Sequence, residues 1–269
     1  MSKLKNTLIW ILAIILMLVI AVYQRMTGPT YPQKGVVTIA NETIKFKLPR
    51  SHDGSGTDII KIKVNNQQVI GFMKLKRFKS YDEWTTQQLK RDGNYLYASI
   101  PEQPPAGKVM YQIALIDAKG NATSLTEEPV IIRFKGAVPK FILFPHIFAM
   151  FFAMVFSIRA GFEHLFKGPN AYKISLWTLI LLTIGGLFLG PVVQHYAFGA
   201  FWTGWPFGHD LTDNKTLIAF IGWVIAIYKL RKNPNKTYWA LIASIILLAV
   251  YLIPHSVLGS EIDHTKLPQ

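Results

Sequence analysis

Two kinds of hydrophobic pattern divide the chain. Residues 6–24 (NTLIWILAIILMLVIAVYQ) run without a charge, after Lys3 and Lys5 and before Arg25. About 20 apolar residues at a rise of ~1.5 Å each cross a bilayer's hydrocarbon, so residues 1–27 are expected to form a membrane anchor. A secretory signal peptide shares the basic start, but this apolar core is long and no small-x-small cleavage pattern follows it. Over 28–138 the pattern becomes period-two alternation, at VVTIA (36–40), TIKFKL (43–48), IIKIKV (59–64), VIGFMKLKRF (69–78), YLYASI (95–100), VMYQIALI (109–116) and VIIRF (130–134). Alternation marks half-buried strands. Asn65-Asn66, Asp92-Gly93-Asn94 and Lys119-Gly120-Asn121 read as the turns between them. Short strands at this spacing predict an all-β sandwich of immunoglobulin-like type.

From Val138-Pro139 onward the chain is apolar again. Segments 141–158, 175–194, 216–228 and 238–253 read as four further membrane helices, a bundle within 139–255 followed by a tail at 256–269. The expected fold is therefore an α-helical integral membrane protein of about five transmembrane helices with an inserted β-sandwich. The segment at 216–228 is short unless Lys215 and Lys229 snorkel, and Gly186-x-x-x-Gly190 offers a close packing face. Lys/Arg bias in short loops sets orientation. Lys3 and Lys5 share a side with Arg159, Lys167 and Lys173, and with Lys229, Arg231, Lys232 and Lys236. That side is expected to be cytoplasmic in a bacterial-type membrane, with the β-domain, the 195–213 loop and the C-terminus outside.

Composition agrees with this class, being 51% hydrophobic and only 16% charged. The net charge of +14 would suggest nucleic acid if it formed one soluble patch, but much of it flanks the apolar runs, and no nucleic-acid partner is expected. The chain has no cysteine, which excludes disulfides, zinc–thiolate sites, iron–sulfur clusters and covalently attached c-type haem.

Candidate chemistry gathers at the expected outer face. Residues 195–213 join two apolar helices and hold His195, His209, Asp210, Asp213 and six aromatic rings, shaped by Gly199, Gly204, Pro206 and Gly208. Aromatic rings at this density suit a membrane–water boundary. His146 starts one helix at the same face, His255 ends another, and Glu261, Asp263 and His264 lie in the tail. Neutral imidazole is the commonest metal ligand, and carboxylates complete or orient such sites. His146 and Met150 also share a helix face, in a combination suited to copper or to haem b. The bland readings are that Asp210 or Asp213 caps a helix, that methionines fill core gaps, and that Arg159 and Glu163 form an i,i+4 pair at a helix terminus. His52, between Ser51 and Asp53, is not a triad, because adjacent side chains point apart.

The functional expectation is a membrane redox or metal-handling protein. Its haem or metal ligands would be His146, His195, His209, His255 and Met150, with Asp210 and Asp213 orienting them, and electron transfer to a membrane quinone would follow from haem. A non-catalytic assembly protein that binds a partner through the β-sandwich is the alternative. A membrane metal-dependent hydrolase is the third reading, although no HExxH, nucleophile elbow or phosphate loop is present.

Overall fold

The computed structural model describes residues 2–254 and 259–266. Its contacts divide into two compact units. One is helical (Met1–Pro29, Val138–Tyr196 and Ala200–Gly259). The other is built on strands (Thr30–Ala137, Ala197–Gly199 and Ser260–Gln269).

The strand unit comprises β1 (Gln33–Ile39), β2 (Glu42–Leu48), β3 (Ser51–Asp53), β4 (Asp58–Lys63), β5 (Ile70–Arg77), β6 (Thr85–Gln88), β7 (Lys90–Asp92), β8 (Tyr95–Ile100), β9 (Lys108–Ile116), β10 (Ala122–Ser124) and β11 (Val130–Lys135). One sheet has the order β3-β11-β9-β5-β6, with β10 also on β9; a second has β4-β8-β7; β1 and β2 form a hairpin. The β3–β11 pairing is parallel and the others are antiparallel. Alternation does what the sequence pattern implied: in β4, Ile60 and Ile62 are buried while Lys61 and Lys63 are exposed. These isoleucines share one core with Leu96, Met73, Val109 and Ile113 from both sheets. Tyr111 is fully buried there, and its hydroxyl donates to the Pro49 carbonyl at 2.7 Å.

The helical unit contains α1 (Lys3–Thr27), α2 (Lys140–Leu165), α3 (Ala171–Phe198), α4 (Leu211–Lys232) and α5 (Tyr238–Leu252). Three of these, α1, α2 and α3, are long and apolar enough to cross a membrane. In α1, Ile9, Ala13 and Met17 recur four residues apart and form its buried face. Trp10 packs edge-on against Phe156 of α2 at 5.1 Å. Along α2, Ala149, Ala153, Ser157 and Gly161 also recur every fourth residue, a stripe of small groups that lets neighbouring backbones approach. The approach is close at Gly161, where an added Cβ would lie 3.0 Å from the Ser244 hydroxyl of α5. Large apolar side chains remain on the outside, among them Phe141, Phe148, Phe152 and Phe188.

Candidate functional site

Three features of the helical unit bear on function. The first is the connection between α3 and α4. Its shape is set by side chains at the start of α4, because the first backbone N–H groups of a helix and of a tight loop both need acceptors. Asp210 is the N-cap of α4 and accepts from Thr212 N–H at 2.8 Å and Asp213 N–H at 3.4 Å. Asp213 is buried. One of its oxygens accepts from Thr203 N–H at 2.7 Å, Gly204 N–H at 2.9 Å and the Gln194 side-chain amide at 3.1 Å. Asn214 accepts from Trp205 N–H at 2.7 Å. Glycine is required at 204, since a Cβ there would sit 2.5 Å from that of Asp213. Held in this way, the loop leaves Phe201, Trp205 and Phe207 exposed. Lys215 is buried beyond it, and its ammonium donates to the Ile253 carbonyl at 2.6 Å, a cation at the C-terminal end of α5.

The second feature is a π-helical segment, Thr183–Leu189, in the middle of α3. Such wider turns recur at functional sites. His146 of α2 donates through Nδ1 to the Gly185 carbonyl at 2.9 Å, an oxygen that also accepts from Gly190 N–H. In a neutral ring this leaves Nε2 with the lone pair. Met150 lies one turn further along, and a Cβ on Gly185 would come within 3.0 Å of its sulfur. His146 and Met150 thus meet the same glycine-lined segment.

The remaining sequence candidates have surroundings of their own. His195 is exposed and stacks on Phe201, with centroids 4.1 Å apart and planes 3° from parallel. His209 is exposed, Asp210 and Asp213 are engaged in the loop, and His255 lies outside the described residues. Among the described residues, no three histidine, aspartate or glutamate side chains are arranged to hold a metal ion.

The third feature is one that the sequence reading placed at a helix terminus. Arg159 and Glu163 are buried in the helical unit, with side chains 1% and 0% exposed and 2.5 Å between Nη1 and Oε1. The guanidinium also donates to Asn6 of α1 at 2.8 Å and lies 5.4 Å from the Trp10 ring centroid. The second Glu163 oxygen accepts from Asn170 N–H at 2.6 Å, in the turn leading into α3. One ion pair therefore joins α1, α2 and the α2–α3 turn. Nearby in the chain, His164 shares a 2.8 Å hydrogen bond with Thr237 at the start of α5. The sequence signal was the pairing of opposite charges at i,i+4 within an apolar run: Arg159 and Glu163 continue the four-residue spacing of the buried Val155, not that of the small-residue stripe.

Comparison with protein-family models and with curated proteins finds no match for this chain.

Proposed function

We propose that the protein is a membrane-anchored, non-catalytic assembly protein, whose helical unit sits in the bilayer and whose strand unit docks a partner. The observation carrying this reading is that the two carboxylates of the α3–α4 connection, Asp210 and Asp213, hold its own architecture together. Through one oxygen Asp213 satisfies two backbone N–H groups and a side-chain amide, and Asp210 caps a helix, so both carboxylates have a structural role in the loop. The apolar exterior of the helices supports membrane residence, because soluble monomers rarely expose contiguous apolar area beyond a few hundred Å². The two larger sheets, β3-β11-β9-β5-β6 and β4-β8-β7, share one core, which supports an immunoglobulin-like sandwich. The basic turns favour a cytoplasmic N-terminus, with the strand unit, the aromatic loop and the C-terminal tail on the opposite side.

The strand unit offers contact surface of the kind that partners use. Trp84 lies within 5.2 Å and 5.6 Å of the Lys74 and Lys76 ammonium groups, and Tyr81 is 75% exposed. Aromatic residues are over-represented at interfaces. Photo-crosslinking from positions 81 and 84 in intact membranes tests the proposal. Discrete adducts to another protein are expected, and their absence from both positions and from the exposed Ile59 would contradict it.

A second reading is favoured by one specific contact. A histidine whose Nδ1–H is held by a carbonyl is arranged as metal-binding imidazoles usually are, and Met150 supplies a soft sulfur beside it. Copper or haem held by His146 and Met150 is the form of the redox proposal that keeps geometric support. Metal analysis and an absorption spectrum of the detergent-purified protein test it. A metal or Soret band lost on His146→Ala and Met150→Ala substitution supports it, and metal retained in the double variant contradicts it.

A further inference from the structure

The strand unit holds a peptide-like ligand of its own. The Arg133 guanidinium donates to the Ser260 carbonyl at 2.9 Å. The Glu261 carboxylate takes ion pairs from both Lys79 and Lys108. Ile262 N–H donates to the Ala106 carbonyl at 3.3 Å, and Arg77 reaches the His264 ring at 3.5 Å. Positions 260, 261, 262 and 264 of one short segment are thus read through main chain, carboxylate, main chain and side chain, the mix of main-chain and side-chain contacts used in peptide recognition.

The receiving surface is shaped for this. Lys79 and Ala106 both have positive φ, 48° and 70°, a conformation costly to residues with a Cβ and concentrated at ligand clamps. Arg133 is buried on β11. Burial draws the Lys108 ammonium below the ordinary lysine value even though Glu261 accepts its hydrogen bond. Burial would raise Glu261, but the hydrogen bonds from Lys108 and Lys79 outweigh it and hold the carboxyl below its usual value. The cations are therefore set for an anionic side chain flanked by main-chain groups.

We propose that Arg77, Lys79, Ala106, Lys108 and Arg133 form a docking groove for a short acidic segment of a partner protein, which residues 260–264 occupy as an intramolecular stand-in. This inference rests on the partner-docking function proposed above and names the chemistry of the partner. The tethered segment competes at an effective concentration on the order of millimolar, so an external segment gains when Glu261 loses its charge.

The test uses the full-length protein in detergent and a fluorescent peptide of sequence SEIDHTK, corresponding to residues 260–266. The peptide is expected to bind Glu261→Ala protein at least ~10-fold more tightly than wild type, because the tethered competitor is weakened. Glu261→Gln, which preserves side-chain shape, should behave in the same way. Lys108→Glu added to Glu261→Ala should abolish binding, as should a peptide in which glutamate is replaced by glutamine. Failure of the peptide to bind either single variant, while circular dichroism shows the strands intact, would overturn the groove. Displacement of the peptide by inorganic phosphate as readily as by unlabelled peptide would also overturn it, leaving only a general anion site. The broader function fails separately: crosslinks from positions 81 and 84 that persist in the Lys108→Glu variant leave the docking function standing while the groove falls.

Discussion

Replacing Glu163 with Gln leaves the Arg159 guanidinium inside the helical unit without its counter-charge. The shape is nearly kept, and the new amide oxygen can still accept from Asn170 N–H, now at 2.6 Å from the carboxylate. What is lost is the charge opposite Nη1 at 2.5 Å, with both side chains essentially inaccessible to water. Asn6 provides a hydrogen bond but no charge. Breaking a buried pair from one side costs about 3–5 kcal/mol. Removing both charges with Arg159→Met and Glu163→Leu together strands no charge, and such replacements are neutral or stabilising by about 1–4 kcal/mol. The shape change at Gly168 works against a larger gain, since a Cβ there would already lie 2.2 Å from a Glu163 oxygen. Reversible unfolding of the detergent-solubilised protein, followed by tryptophan fluorescence, should therefore rank wild type and the double variant together, with Glu163→Gln well below. A single variant within about 0.5 kcal/mol of wild type, the range of ordinary surface substitutions, would refute a buried pair. A double variant weaker than the single one would refute the charge argument itself.

Asp213→Ala unpairs the N–H groups of Thr203 and Gly204, each worth about 1–3 kcal/mol when left buried without an acceptor. Amide exchange across residues 201–209 should speed up while α2 stays protected, and unchanged exchange in the loop would contradict the assigned role. In the strand unit, the hydrogen bonds from Arg77 lower the Asp82 carboxyl to about 2. The folded value lies below the unfolded one, so this contribution is complete above roughly pH 4 and fades as the pH falls towards about 2. Asp82→Asn should remove that part of the acid dependence in thermal unfolding scans. The effect should be small, because the pair is partly exposed, with side chains 46% and 31% accessible.

Much of the strand unit is legible because most of its long strands have one buried face, β11 being buried on both. All seven alternating segments carry strands, as β4 illustrates with Ile60 and Ile62 inward and Lys61 and Lys63 outward. The strands that escaped notice, β3, β6, β7 and β10, are three or four residues long and mostly polar. They are held by backbone pairing at positions where no hydrophobic period can develop. The β1–β2 turn was equally silent, since Ala40 and Asn41 supply its positive φ values in place of glycine. Charge hides the end of α2, because Arg159 and Glu163 after residue 158 have the look of a helix terminus. Their mutual neutralisation lets the helix continue to Leu165. At the candidate site, the capping role weighed for Asp210 or Asp213 falls to Asp210. The carbonyl facing His146 depends on a π-helical turn that hydrophobic spacing does not encode.

The central claim is that the helices hold the strand unit on one side of a membrane, and the absence of native cysteine makes this directly measurable. Single cysteines at Ser55, in a loop of the strand unit, and at Asn235, in the turn between α4 and α5, are each reacted with a membrane-impermeant maleimide in intact cells. The account predicts that position 55 is labelled from outside and that position 235 is labelled only after the membrane is permeabilised. Equal labelling of both positions in intact cells, or of position 235 alone, would contradict it.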